Sequence, residues 1–184
     1  MDLFFNFLKI HATRRNIIIG VLLILIFNLV LLPEFPKLFL ENNTEINSIL
    51  DIKFSYSTDV AYNLFDNLGK QGRTAYKLNT LFIDFPYSLT YGFVYAFIIL
   101  MLLKIITLKK LNYLCLIPFF ISWFDILENS GIVLMLQKYP TKLDVICNVT
   151  SIFTSLKWIS AAITFLIIIT LFINLIYSKA LKKN

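Results

Sequence analysis

Asp125, Glu128 and Asn129 fall within one helical turn of FFISWFDILENSGIVLML (119–136), a stretch that is otherwise almost wholly apolar. Two carboxyls and a carboxamide at that spacing suit three kinds of chemistry. Two acids in unlike surroundings can divide acid and base work between them, which makes Asp125 and Glu128 the candidate catalytic pair of a lipid- or isoprenoid-modifying enzyme. They can instead hold a proton or a cationic ligand group. Or they can pair with a base on another helix and serve as a lock. An acid at the centre of a bilayer costs roughly 2.5–3.5 kcal/mol on insertion scales, so each reading requires a partner. Lys157, which interrupts the last apolar run, is the expected one. Two acids against one base leave one negative charge in excess, so the second acid is expected to be protonated or bound to something. Arg73 is a further positive charge within reach if the segment carrying it folds over the site.

The elements that must position these groups follow from composition. Of 184 residues, 58% are hydrophobic, against about 45–50% in soluble domains, and the excess is gathered into long runs. The runs cover about 17–32, 85–103, 111–136 and 146–177. The first has a basic lead-in but no small-residue cleavage site, so it is expected to remain as a span, with its helix starting a turn earlier. The last is long for a straight span and should tilt or project. The expected fold is an all-α membrane protein. It is one domain over 1–184, a four-transmembrane-helix bundle with a small helical extracytoplasmic cap within 33–84, between the first and second spans.

Charge sets the expected topology. Nine Lys or Arg residues flank the runs on one side, with Asp2 the only acid there, and this side is expected to be cytoplasmic with both termini. Segment 33–84 carries seven acids against five bases and is placed outside. A bacterial plasma membrane is the expected location, an endoplasmic reticulum membrane the alternative. The net charge of +6 is topological rather than a nucleic-acid footprint. Cys115 and Cys147 lie toward opposite faces, too far apart to bridge. The single histidine, His11, is remote from the acids. No Ser/His or Cys/His pair, no cofactor and no metal site is expected.

Within the outer segment, IKFSYS (52–57) alternates and suits a short extended piece. Ser57 or Thr58 can cap a helix that Gly69 ends, and a second helix should run on to Pro86. Asn42-Asn43-Thr44 fits a glycosylation pattern.

At about 100° per residue, Ser122, Asp125, Glu128 and Asn129 share one stripe. Asp84, Tyr87, Ser88, Tyr91 and Tyr95 share another on the second span. Thr150, Thr154, Lys157 and Thr164 share a third on the fourth. Lipid satisfies none of these groups, so the stripes should face each other and form a polar pocket. Its expected lining is Asp84, Tyr87, Tyr91, Tyr95, Ser122, Asp125, Glu128, Asn129, Thr154 and Lys157, with Arg73 above.

The series Leu68-Gly69, Gly72-Arg73, Tyr76, Asp84, Pro86, Tyr91, Asp125-x-x-Glu128-Asn129, Tyr139-Pro140 and Lys157-Trp158 resembles small uncharacterised four-span membrane proteins over about residues 58–160. The resemblance implies no activity. It implies that outer segment and intramembrane cluster form one unit. The expected function is binding or transport of a small polar or amphipathic ligand entering from outside. The alternatives are the enzyme above and a non-catalytic assembly or accessory subunit. Expected partners are membrane lipids, a small-molecule or lipid ligand, and a second copy or another membrane protein.

Overall fold

A computed structural model of the protein describes residues 2–35, 37 and 50–181. Asn42, Asn43, Thr44, Lys182 and Lys183 lie outside the described residues. Those that are described form helices and turns without strands. α1 spans Asp2–His11 and α2 spans Arg14–Glu34. α3 spans Thr58–Asn79, α4 Phe85–Ile105, α5 Pro118–Lys138 and α6 Asp144–Leu181. Four helical stretches are long and apolar enough to cross a membrane: Arg14–Glu34, Thr58–Ile105, Lys109–Lys138 and Asp144–Ala180.

α2 begins three residues before the apolar run, where Thr13 caps it by accepting the amide of Asn16 (3.2 Å). Arg14 and Arg15 then occupy its first turn, against the preference of the helix dipole. Their place is set by the apolar run that follows. α1 lies beside the inner half of the bundle and buries Leu8 completely.

Ser57 caps α3, and Gly69 breaks it at φ 61°, ψ −174°, a conformation that a residue with a Cβ rarely adopts. The second half of α3 then runs without interruption into α4. Pro86 has no N–H for the carbonyl of Phe82, and the backbone just before it widens into a π turn over Thr80–Asp84. The helix holding the second span therefore starts well before residue 85. Its upper part carries Tyr76, Asn79, Thr80 and Asp84 inward, which is why the apolar run reads as starting lower.

α4, α5 and α6 form the body of the bundle. α2 leans chiefly on α4, with Gly20 against Val94 and the Asn28 amide donating to the Tyr87 hydroxyl (2.7 Å). Gly20 is its only buried residue. Two hydrophobic cores result. The inner one holds Leu8, Ala96, Ile99, Leu103, Cys115 and Leu171. The outer one holds Leu50, Tyr62, Phe65, Tyr76, Ile132, Met135 and Cys147, from α3, the outer ends of α5 and α6, and the turn before α3. Each side chain the size of Phe65 contributes about 1.5–3 kcal/mol where the alternative is water. Where helices pack without that drive, close approach at small residues takes its place. Gly92 admits Ser122, and Gly131 admits Thr150, at the α4–α5 and α5–α6 contacts.

Candidate functional site

Between the two cores lies a polar layer. α5 contributes Ser122, Asp125, Glu128 and Asn129, all buried, the last two completely. α6 contributes Thr154 and Lys157, and α4 contributes Ser88 and Tyr91. The stripes do face one another.

Lys157 Nζ lies 3.2 Å from Asp125 Oδ1 and 2.5 Å from Glu128 Oε2. The three-residue spacing on α5 is what lets one ammonium reach both acids. The Tyr91 hydroxyl donates to Asp125 Oδ2 (2.7 Å), and Thr154 donates to Glu128 Oε1 (2.8 Å). All four carboxylate oxygens of the pair are thus engaged. Ser122 donates to the Ser88 carbonyl (2.6 Å) and sets the height of α4 against α5.

A further acid comes from the outer segment. Residues 51–56 run alongside α6, held by its side chains. Lys157 Nζ donates to the Asp51 carbonyl (3.3 Å), Trp158 Nε1 to that of Lys53 (3.0 Å) and Ser155 Oγ to that of Phe54 (2.8 Å). The Tyr56 amide donates to Ser151 Oγ (2.8 Å). Irregular backbone within a helix bundle requires such partners. IKFSYS is therefore not the short extended piece expected from its alternation: Leu50–Ile52 form a short 3-10 turn, residues 53–54 bend, and the segment lies along α6 with Ile52 and Phe54 exposed and Tyr56 buried.

That path delivers the Asp51 side chain to the polar layer. Its Oδ2 accepts from the Tyr76 hydroxyl (3.1 Å), which in turn accepts the Leu50 amide (3.1 Å). Its Oδ1 is buried with no hydrogen-bond donor among the described residues. Burial pushes the Asp51 carboxyl above its ordinary range; Lys157 opposes this and Asp125 adds to it. Asp84, 8% exposed, lies within electrostatic reach of Asp51, Asp125, Lys157 and Glu128. Two carboxyls, those of Asp125 and Glu128, thus contact the Lys157 ammonium, and two more buried acids, Asp51 and Asp84, lie within its electrostatic reach. With all ionised the group would carry three negative charges in excess, rather than the single one expected from Asp125, Glu128 and Lys157. Asn129 adds a fully buried amide whose oxygen and nitrogen both lack a partner among the described residues.

The other expected site residues lie around this layer. Tyr87 binds Asn28 and packs edge-on against Tyr91, with ring centroids 5.2 Å apart. Tyr95 stacks on Tyr91 and meets Phe165, so it continues the aromatic column inward. Arg73 does not join the cluster. Its guanidinium lies 3.8 Å from the Tyr139 ring centroid and donates to the Phe65 carbonyl (2.7 Å), beside the outer core. The acids are not arranged as a metal centre: among the described residues, no three His, Cys, Asp or Glu side chains converge to hold an ion.

Asp51 escaped the sequence reading because its partners are more than 20 residues away and follow no period. The local hint is its place between Leu50 and Ile52, in a segment that buries one face. Compared with known protein families, curated proteins and solved structures, the chain matches none of them.

Proposed function

We propose that the protein is a multi-pass membrane protein that binds a small amphipathic ligand through a cationic or proton-carrying group. The site is the polar layer between α4, α5 and α6. In this reading both termini are cytoplasmic, in a bacterial plasma membrane. α3 and the outer ends of α5 and α6 form the extracytoplasmic cap, and the existence of a separate outer core supports that role. The observation that carries the reading is the pair of ion contacts from Lys157 to Asp125 and Glu128, with the buried acids Asp51 and Asp84 nearby and Asp51 Oδ1 and the Asn129 amide left unpartnered among the described residues. A buried excess of carboxyls favours protons or cations as guests. Transport by so few spans would call for assembly of several copies.

The test is thermal unfolding of the protein in lipid nanodiscs with a medium-chain alkylamine and with the alcohol of equal length. The amine should stabilise the protein more, and Asp84→Asn should abolish the difference. Equal shifts from amine and alcohol in the unaltered protein would refute the reading.

A second reading has its own support. The closed contacts of Lys157 with Asp125 and Glu128 suit an interhelical lock in a non-catalytic assembly subunit. Replacing the three by Met, Asn and Gln together would then leave every ligand response unchanged.

A further inference from the structure

On the outer side of the bundle, away from the polar layer, Lys70, Arg73, Thr74 and Lys77 occupy one face of α3. They line an open pocket of about 380 Å³ together with Leu136 and Tyr139 at the outer end of α5. This is within the usual range for small-ligand sites, which begins at about 300 Å³. From these residues we infer that the pocket binds a phosphate-bearing anion.

Three observations support this. First, the lining brings three cations together and no acid. Lys70 and Lys77 form no ion pair among the described residues, so their ammonium groups are available to a guest. Second, Arg73 is positioned in advance. Tyr139 stacks beneath its guanidinium, the Phe65 carbonyl takes one Nη1 hydrogen, and the Tyr139 hydroxyl is itself tied to Asp66. The remaining donors of the fork suit the paired oxygens of a phosphate, and less ordering is required on binding. Third, the Thr74 hydroxyl donates to the Lys70 carbonyl (3.1 Å), which leaves its oxygen lone pairs as the acceptor on this face. A phosphate ester with a hydroxylated alcohol part has both the anion and the donor to match.

Position favours the same chemistry. The Ser122–Ser88 bond sets the register of α4 against α5, and about eleven residues further out on each helix lie Lys77 and Val133, close to Leu136. The pocket therefore sits where the apolar length of α5 ends, within reach of a lipid phosphate from below and of a soluble phosphate from above.

The two sources separate in one experiment of two arms. The full chain is purified in neutral detergent doped with equal amounts of phosphatidylglycerol and phosphatidylcholine, and retained lipid is read by native mass spectrometry. In parallel, its melting temperature is followed in inorganic phosphate and in chloride at equal ionic strength. The expected result is several-fold preferential retention of phosphatidylglycerol, lost in Lys70→Gln/Lys77→Gln and kept in Lys142→Gln, which alters a lysine paired with Asp59 instead. Stabilisation by phosphate over chloride, without lipid preference and lost in the same double variant, would assign the pocket to a soluble phosphate. Absence of both effects, or their persistence in the double variant, would overturn the inference. Neither arm depends on the acids of the polar layer, so the two sites are tested separately.

Discussion

The ammonium of Lys157 donates to the main-chain carbonyl of Asp51 at 3.3 Å, and so holds the outer segment and the α5 acids with one group. Removing it should destabilise the fold. Lys157→Met would leave the buried carboxyls without their counter-charge, at a cost of about 3–5 kcal/mol. Adding Asp125→Asn and Glu128→Gln should return most of that. Denaturant titration in detergent micelles would show it. A single variant as stable as the parent would mean the acids are already neutral without Lys157.

Asp51 should make stability depend on pH. Its unfolded value is near 3.8, and burial raises it in the folded chain, with Tyr76, Lys157 and Asp125 as its charged or hydrogen-bonded neighbours. Between the two values the folded state binds more protons than the unfolded one. Stability then falls as pH rises through that window and levels off above it. Asp51→Asn cannot ionise and keeps an acceptor for Tyr76, so it should flatten this part of the profile. Unfolding midpoints from about pH 4 to 8 would test it; an unchanged slope in the variant would assign the dependence to other groups.

The α4–α5 contact should reject a methyl group. A Cβ at position 92 would run into Ser122 Oγ, so Gly92→Ala should destabilise by about 1–3 kcal/mol. Ser122→Ala in the same chain should recover part of the loss, because the colliding atom is gone. A double-mutant cycle without coupling would place the cost elsewhere.

Along α6, Ser151→Ala would remove the acceptor of a buried amide at Tyr56. An unmade bond of that kind costs about 1–3 kcal/mol. Hydrogen exchange should report it locally, with the Tyr56 amide speeding up before those of α6. Uniform acceleration over the chain would show instead that residues 51–56 unfold only with the whole.

Much of the inner bundle was legible in the sequence. Apolar runs found the four long helices, and the 100° step found the faces carrying Asp125, Glu128, Thr154 and Lys157, because both signals are local and periodic. The cap at Ser57 and the break at Gly69 were legible for the same reason: each depends on one residue type at one backbone conformation. What escaped depends on contact at long range. Asp51 reaches the acids through a segment held by Ser151, Ser155 and Trp158, and no spacing encodes that. The amphipathic half of α3 below Gly69 conceals the upper extent of the second span, since its inward groups are polar. Arg73 is captured by the Tyr139 ring, a pairing that a charge count does not reveal.

α6 passes through both cores as one unbroken helix of 38 residues, a rod of about 57 Å. Above Lys157 it is gripped by residues 51–56 and the outer core; below, it is buried at intervals through Leu171 and Leu175. Such a rod is a lever with its fulcrum at the ion pairs. A tilt of about 5° at the N-terminal end would displace the far end near Lys179 by about 3 Å, given the remaining length of some 33 Å. A displacement at one end of the helix is thus carried to the other, with no helix needing to unwind.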